Sequence, residues 1–334
     1  MSSKLMWVFI SAVFAQVASA QILINGAGAT FPYPIYSKWF DEYHRQHPNV
    51  QINYQSIGSG GGIRQLEAGT VDFGASDMPA SDEQLTKFKR KILHFPTVLG
   101  AVVPVYNIPN LAGELNFTSK ALAGIMLGTI TKWNHPEITR ANAGVKLPAS
   151  EIIVVHRSDG SGTTFVWTDF LSKVSPEWKT RVGAGTSVNW PVGLGGKGNE
   201  GVAGIIKQTP GSIGYVELIY AIQNKIAYGR VQNPAGHFVK ADLGTVSAAA
   251  RDQRMSSDFR VSITNAPADG AYPISSFTWL LVPAEIRNPA KAKAIKEFLI
   301  WMLGPGQKMT ESLSYAPLPR EVAAQVAKQI AQIR

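Results

Sequence analysis

The sequence contains no cysteine, and this absence excludes two features. No disulfide framework can form, and lipid attachment through an N-terminal cysteine is impossible. Histidine is also scarce, and the six histidines show neither an H-E-x-x-H motif nor another zinc-ligand spacing. We therefore expect no metal site and no cofactor.

A long hydrophobic run of the kind that anchors a protein in a membrane is also lacking. Lys4 precedes an apolar core at residues 5–13, and residues 18–20 (ASA) match a small-x-small cleavage site. The segment is shorter than the about 20 apolar residues that a transmembrane helix needs. We expect a signal peptide cleaved after Ala20, so that Gln21 begins a soluble, exported protein.

Acidic residues are fewer than basic ones, 23 against 32, which gives a formal net charge of +9. The basic residues are scattered, and only residues 87–91 approach a run, which we interpret as a solvated helix face. Dispersed positive charge favours small anions over nucleic acid as partners. Without the leader roughly 314 residues remain, more than one hydrophobic core usually covers, so two domains are expected.

Strand and helix signals alternate along the chain. We predict strands at 22–25, 50–54, 71–75, 152–155, 213–216 and 273–283, and helices at 34–46, 63–68 and 289–303. Ser81 and Gln84 form a capping-box pattern, Gly69 closes the second helix, and Gly304 lies past the end of the last. This βαβα order implies a mostly parallel sheet covered by helices, with ligands at loops beyond the carboxyl ends of strands.

The most informative stretch is residues 157–163, RSDGSGT. It supplies a guanidinium fork, hydroxyls and flexible glycines that let backbone N–H groups turn toward one point. Val166, Phe170 and Val174 follow at a spacing of four, which predicts a helix opened by the glycines. Because the N-terminal N–H groups and dipole of a helix favour an anion, this stretch predicts half of a site for a tetrahedral oxyanion.

Three other loops share this chemistry. Residues 26–31 (GAGATF) and 58–62 (GSGGG) each stand between a strand and a helix, with Ser59 as a predicted N-cap, and residues 72–77 (DFGASD) place a carboxylate after a strand. A serine or threonine at such a turn more often caps its own helix than binds a ligand. Several hydroxyl-bearing loops in one chain nevertheless favour an anion site.

Motifs for catalysis and for nucleotides fail on inspection. Ser161 lacks both glycines of the G-x-S-x-G nucleophile elbow. Phe31 stands where a dinucleotide fingerprint needs its third glycine, and Gly198 stands where a Walker loop needs serine or threonine. His156, beside the proposed site, is interpreted as a packed or surface histidine. Residues 193–201 are interpreted as a turn leading into a helix, and whether they touch the ligand stays open.

Taken together, these segments resemble those of a known family, the periplasmic phosphate-binding proteins that deliver inorganic phosphate to an ATP-driven importer. The matching segments cover nearly the whole mature chain in order: GAGATFPYPIYSKW at 26–39, YQSIGSGGGIRQLEAGTVDFGASDMP at 54–79, RSDGSGTTFVWTDFL at 157–171, GLGGKGNEGVAGII at 193–206 and GSIGYVE at 211–217. Several of these strings are long and unusual in composition, so the resemblance is more specific than a single glycine motif.

The resemblance implies an α/β, two-domain periplasmic-binding-protein fold, with mostly parallel sheets, helices on both faces and a hinge of two crossing segments. Residues 21–96 plus 276–334 would form one domain and 97–275 the other. The hinge would lie near Phe95–Thr97 and Ile274–Phe277.

The resemblance also implies a ligand set. Asp77 matches the single acceptor of the family, and Asp159 is expected to orient an arginine. The matched donors are Thr30, Phe31, Ser59, Arg157, Ser161, Gly162 and Thr163. One departure is Gly60, where the family commonly has a second serine. Since a carboxylate only accepts hydrogen bonds at neutral pH, Asp77 would repel an anion that has no proton to donate; phosphate has one and sulfate does not.

The implied function is binding without catalysis. Phosphate would bridge the two walls, the hinge would close, and the closed form would dock on inner-membrane subunits of an ABC permease. The protein is expected as a periplasmic monomer that binds no nucleic acid. The alternative is an exported phosphatase or other phosphoester-handling enzyme with the same anion site, although neither a nucleophile with a base nor a metal set is visible. An exported surface protein that retains the fold is a third reading.

Overall fold

Strands and helices alternate along the chain as the hydrophobic pattern predicts, and the fold is of the mixed α/β class. The computed structural model describes residues 21–251 and 253–334, and the predicted signal peptide lies outside these residues. The strands are β1 (Ile22–Gly28), β2 (Val50–Ser56), β3 (Phe73–Ser76), β4 (Ile92–Asn107), β5 (Asn116–Phe117), β6 (Ile153–Arg157), β7 (Leu194–Gly196), β8 (Ser212–Glu217), β9 (Ala227–Tyr228), β10 (Arg230–Gln232), β11 (Phe238–Val239) and β12 (Ser275–Pro283).

Helices lie between most of these strands along the chain and pack against the sheet. They are α1 (Tyr33–Gln46), α2 (Ser59–Ala68), α3 (Asp82–Lys87), α4 (Ser119–Met126), α5 (Pro136–Thr139), α6 (Gly162–Val174), α7 (Pro176–Arg181), α8 (Gly198–Gln208), α9 (Leu218–Asn224), α10 (Leu243–Ala250), α11 (Pro289–Trp301) and α12 (Arg320–Ile330). Among the described residues no helix is both long and apolar enough to cross a membrane.

The main sheet has two parallel halves. Its strand order is β2-β1-β3-β12-β4-β8-β6-β7, and β9 pairs with β4 beside this path. Strand β1 is parallel to β2 and β3, and β6 is parallel to β7 and β8. The strands between the halves, β12 and β4, run antiparallel to their neighbours. The parallel prediction is therefore correct within each half and not across the join.

Strand β4 holds the two halves together. Its first part, Ile92–Ala101, pairs with β12, and its second part, Val102–Asn107, pairs with β8. All of its residues except the last are buried, which explains the nearly continuous apolar sequence. The pairing with β12 shifts register beside Thr97, whose hydroxyl lies 2.8 Å from the Tyr36 hydroxyl and donates to the Thr278 carbonyl at 3.2 Å.

Local sequence signals position several elements correctly. Ser81 accepts the Gln84 N–H and Gln84 returns the bond to the Ser81 N–H, which confirms the capping box at α3. Gly69 ends α2 in the left-handed conformation with φ 73°, as predicted. Helix α1 buries one face, which contains Ile35 and Trp39, against the sheet.

Three local expectations are wrong. Residues 87–91 do not lie on one helix face, because α3 ends at Lys87 and the next residues lead into β4. Residues 194–196 form strand β7 beside β6, and the following helix already begins at Gly198. Gly304 does not lie past the helix that begins at Pro289. Helix α11 is followed by a π-helical turn over Met302–Gly306, and the Trp39 indole donates to the Gly306 carbonyl at 2.8 Å. A tertiary contact thus overrides the local stop signal.

We expect opposite effects of alanine at two helical glycines. A Cβ at Gly62, within α2, would lie 2.4 Å from the Ala27 carbonyl oxygen of β1, whereas a Cβ at Gly204, within α8, would meet nothing within 4 Å. Gly62→Ala should therefore destabilise the protein by about 1–3 kcal/mol through overpacking. Gly204→Ala should stabilise it by about 0.5–1 kcal/mol through helix propensity. Denaturant unfolding of both variants checks this, and a gain in stability for Gly62→Ala would contradict it.

Candidate anion-binding site

The four loops singled out from the sequence meet at one place. They lie at the carboxyl ends of β1, β2, β3 and β6, the positions where ligands gather in parallel sheets. The Gly60 N–H donates to the Gly160 carbonyl at 2.9 Å, which ties the loop after β2 to the loop after β6. All eight residues of the predicted ligand set are buried. Hydrogen bonds link Ser59 to Asp77 and Gly162, and Asn199 links Thr30 to Thr163, so the structure brings these predicted residues together.

Ser59 has a different role from the one predicted. It is the first residue of α2 and caps nothing, since Gly58 occupies the N-cap position with φ 83°. The Ser59 hydroxyl oxygen instead accepts the N–H of Gly162 at 3.0 Å and, more weakly, that of Asp77 at 3.4 Å. The N-cap prediction is wrong because the turn at Gly58 carries the Ser59 side chain away from its own helix and across to the opposite loop.

The remaining hydroxyls are also fixed as acceptors of protein N–H groups. Ser161 is the N-cap of α6 and accepts the Thr164 N–H at 3.0 Å. Thr30 and Thr163 both accept from the Asn199 side-chain amide, at 2.7 and 3.1 Å. A hydroxyl that accepts such a bond keeps its own hydrogen to donate. Ser59, Thr30, Ser161 and Thr163 are thus prepared as donors.

Arg157 is a buried cation that pairs with Asp159 through two of its three guanidinium nitrogens. Its Nε and Nη2 donate to the two carboxylate oxygens of Asp159 at 2.8 and 2.6 Å, and Asp159 also accepts the Gly198 N–H at 3.0 Å. Burial acts to raise the pKa of Asp159, but the hydrogen bonds and charge of Arg157 bring it below its usual value. Within the described part of the chain, Arg157 Nη1 has no hydrogen-bond partner. An unpaired buried guanidinium nitrogen is costly, so this nitrogen is a candidate donor to a bound anion.

Asp77 presents a carboxyl oxygen to the same site. Its Oδ1 accepts the Thr278 hydroxyl at 2.8 Å, while its buried Oδ2 has no partner among the described residues. Burial raises the pKa of Asp77 to about 7, although the Thr278 hydrogen bond and the Arg157 charge act to lower it. A Cβ at Gly162 would lie 2.5 Å from both Asp77 Oδ2 and Ser59 Oγ. Only glycine at position 162 therefore lets the α6 loop approach this carboxyl group.

A second carboxyl group is buried close by. Glu217, at the end of β8, is fully buried and accepts the Ile219 N–H through Oε2 at 2.9 Å. Burial raises the pKa of Glu217 well above its usual value, and the neighbouring Asp77 acts in the same direction. Within the described part of the chain, the other oxygen of this carboxyl group, Glu217 Oε1, has no hydrogen-bond partner.

Three residues near the site were missed by sequence reasoning. Asn199 bonds to both threonines, the Tyr220 hydroxyl donates to the Thr30 carbonyl at 2.6 Å, and the Tyr315 hydroxyl donates to the Phe31 carbonyl at 2.5 Å. The only sequence signal was the segment at 193–201, whose contact with the ligand had stayed open.

His156 does not serve Ser161. Its ring stacks on Trp190 with 4.8 Å between ring centroids, and its Nδ1 lies 3.0 Å from the Arg157 carbonyl oxygen. Among the described residues, no group of three or more His, Asp or Glu side chains is arranged to hold a metal ion.

Known proteins are similar to this chain in sequence and in fold. Residues 15–305 match a family model described as a PBP superfamily domain. The phosphate-binding protein PstS of Xylella fastidiosa (strain Temecula1) is 49% identical over 308 residues, which cover 91% of this chain and 84% of that protein. PstS of Pasteurella multocida (strain Pm70) is 47% identical over 319 residues, or 95% of this chain and 92% of that protein.

A solved structure supports the same fold. It is described as a high-affinity periplasmic phosphate-binding protein bound with phosphate, and it superposes with a TM-score of 0.74 at 21% identity, covering 92% of this chain and 94% of that chain. Fold and site thus define a member of the PBP superfamily. Within that superfamily the chain belongs to the family of the phosphate-binding protein PstS, which confirms the resemblance found from the sequence.

Proposed function

We propose that the protein binds inorganic phosphate and delivers it to an ABC-type import permease. One observation carries the proposal: a buried site in which prepared donors lie beside a carboxyl oxygen, Asp77 Oδ2, that has no partner among the described residues. Such a site suits an anion that accepts many hydrogen bonds and donates one. The relatives at 47–49% identity are named phosphate-binding proteins, which supports the same ligand.

The proposed ligand set draws on both halves of the sheet. Thr30, Phe31, Ser59 and Asp77 lie on one wall, and Arg157, Ser161, Gly162 and Thr163 lie on the other. Hydroxyl and backbone N–H donors satisfy the oxygens of a desolvated anion without burying many opposing charges. The Gly162 N–H, which donates to Ser59 in this structure, would turn to a ligand seated between the walls.

Asp77 supplies the proposed selectivity. When ionised it can only accept, so a bound anion must carry a proton toward Oδ2. Phosphate carries that proton in its mono- and dibasic forms, whereas sulfate would place two acceptors face to face. Arg157 contributes the opposite feature, since its free Nη1 donates to an anion oxygen while Asp159 holds the rest of the fork in place.

We infer that the two walls belong to domains that close around the ligand. The predicted domains are 21–96 plus 276–334 and 97–275, and β4 and β12 are the strands that would cross between them. Contacts between the walls support closure: Gly60 with Gly160, Thr30 with Asn199, and Asp82 with Arg260 at 2.6 Å. Strand β4 changes partner between Ala101 and Val102, close to the predicted boundary, and its register shift beside Thr97 lies at the predicted hinge.

The periplasm, a monomeric state and docking on inner-membrane permease subunits complete the proposal. They rest on the predicted signal peptide and on the family. An exported phosphoester-handling enzyme is not favoured, since the relatives are named as binding proteins and Ser161 has no base in contact with it in the described structure. Release of product from a chromogenic phosphate ester would be the observation that revives this alternative.

Asp77→Asn should weaken discrimination between phosphate and sulfate. An asparagine amide can donate to a sulfate oxygen, so we expect the ratio of phosphate to sulfate affinity to fall by at least about tenfold. Calorimetric titration with both anions measures the ratio. Asp72→Asn is a matched control, because Asp72 pairs with Lys291 at 2.8 Å outside the site and should leave the ratio unchanged. An unchanged ratio in Asp77→Asn would remove Asp77 from this role.

The affinity for sulfate should depend on pH through Asp77. Sulfate can bind only when Asp77 holds a proton of its own, and burial raises the pKa of this carboxyl group to about 7. Above the pKa of Asp77 in the ligand-free protein, the protonated fraction falls about tenfold per pH unit, so sulfate affinity should fall at the same rate. Titrations between pH 6 and 8.5 test this. A flat profile in the natural protein, or an equal slope in Asp77→Asn, would contradict it.

Closure predicts a change in molecular dimensions. Adding phosphate should lower the radius of gyration measured by small-angle scattering, because the two domains approach each other. Identical scattering curves with and without saturating phosphate would count against a hinge motion.

A further inference from the structure

Asn199 contacts both walls of the site from the start of α8. It is fully buried. Its Nδ2 donates to Thr30 Oγ1 at 2.7 Å and to Thr163 Oγ1 at 3.1 Å, and its backbone N–H donates to Thr30 Oγ1 at 3.3 Å. Its Oδ1 accepts the Glu217 N–H at 2.9 Å. One amide therefore joins a hydroxyl from each wall to the end of strand β8.

The orientation of this amide follows from its partners. A backbone N–H can only donate, so the atom that faces Glu217 must be the oxygen of the Asn199 side chain. The nitrogen then faces the two threonines, and because it can only donate, both hydroxyl oxygens must accept. The hydrogens of Thr30 and Thr163 are left to point elsewhere. Since both threonines belong to the proposed ligand set, these hydrogens point to the anion.

We propose that Asn199 is a positioning residue, which fixes the Thr30 and Thr163 hydroxyls as donors toward bound phosphate. This inference rests on the proposed function and adds a residue to it. The advantage is preorganisation: neither hydroxyl has to abandon another acceptor when the anion arrives. The arrangement also couples closure to ligand binding, because one amide can bond to both threonines only when the two walls meet.

Tyr220 also helps to fix the position of Thr30. Its hydroxyl donates to the Thr30 carbonyl at 2.6 Å, and this carbonyl belongs to the peptide whose N–H is that of Phe31. A hydrogen bond to the carbonyl of a peptide strengthens its N–H as a donor. Asn199 and Tyr220, from consecutive helices α8 and α9, thus hold the side chain and the main chain of the same residue.

A double-mutant cycle tests the role of Asn199. Phosphate affinity is measured by calorimetry for Asn199→Ala in the natural background and in a Thr30→Val, Thr163→Val background, where both hydroxyls are replaced by methyl groups of similar shape. We expect Asn199→Ala to weaken binding by about tenfold or more in the natural background. In the double-valine background we expect less than about a twofold effect, because no hydroxyls remain to be oriented. In both backgrounds Asn199→Ala leaves the Glu217 N–H unpaired and opens a cavity at position 199, so these two effects cancel when the backgrounds are compared.

Two further variants separate positioning from packing. Asn199→Asp keeps the shape and the Glu217 contact but replaces the donor by an acceptor, so its loss of affinity should exceed that of Asn199→Ala. Asn142→Ala is the matched control: Asn142 is buried and its side chain bonds to Asn116 and Ile138 away from the site, so this variant should lower the melting temperature without changing phosphate affinity.

The outcomes distinguish this inference from the function on which it rests. Unchanged phosphate affinity in both Asn199 variants, or an equal loss in the natural and double-valine backgrounds, would overturn the positioning role while leaving phosphate binding intact. Failure of the natural protein to bind phosphate would overturn the proposed function itself, and the positioning role with it.

Discussion

The candidate donors of this site are themselves held by hydrogen bonds from the protein. Asn199 holds two hydroxyls, the Thr164 N–H holds Ser161, and Asp159 holds the guanidinium of Arg157. A desolvated anion is stable only where its oxygens meet donors that already point the right way. The two parallel halves of the sheet serve this need by placing the carboxyl ends of their strands against each other.

In the proposed function, the Asp77 carboxyl group gives the site its selectivity. A cradle made only of donors would accept any tetrahedral anion, whereas Asp77 requires a proton in the bond that it makes with the ligand. The Thr278 hydroxyl, on crossing strand β12, fixes one Asp77 oxygen and leaves the other for the ligand. The contact that orients Asp77 is therefore made from β12, which lies between β3 and β4 in the sheet.

Sequence reasoning predicted the strand-to-helix loops and their hydroxyls, because capping, glycine turns and apolar periodicity are local. Sequence reasoning missed the residues whose roles depend on contacts between distant parts of the chain. Asn199, Tyr220 and Tyr315 meet their partners across 169, 190 and 284 residues, and no local pattern carries that information. Ser59 was misread for a related reason, since the residue type suits an N-cap and only the turn at Gly58 sends it elsewhere.

The proposed function requires that the bound anion donate a hydrogen bond to Asp77. The most direct test compares the affinities for phosphate and monofluorophosphate near pH 8, where both are tetrahedral dianions and only phosphate carries a hydroxyl. Phosphate should bind at least about 100-fold more tightly, as expected for a buried site that needs a donor from its ligand. Equal affinities for the two anions would contradict it.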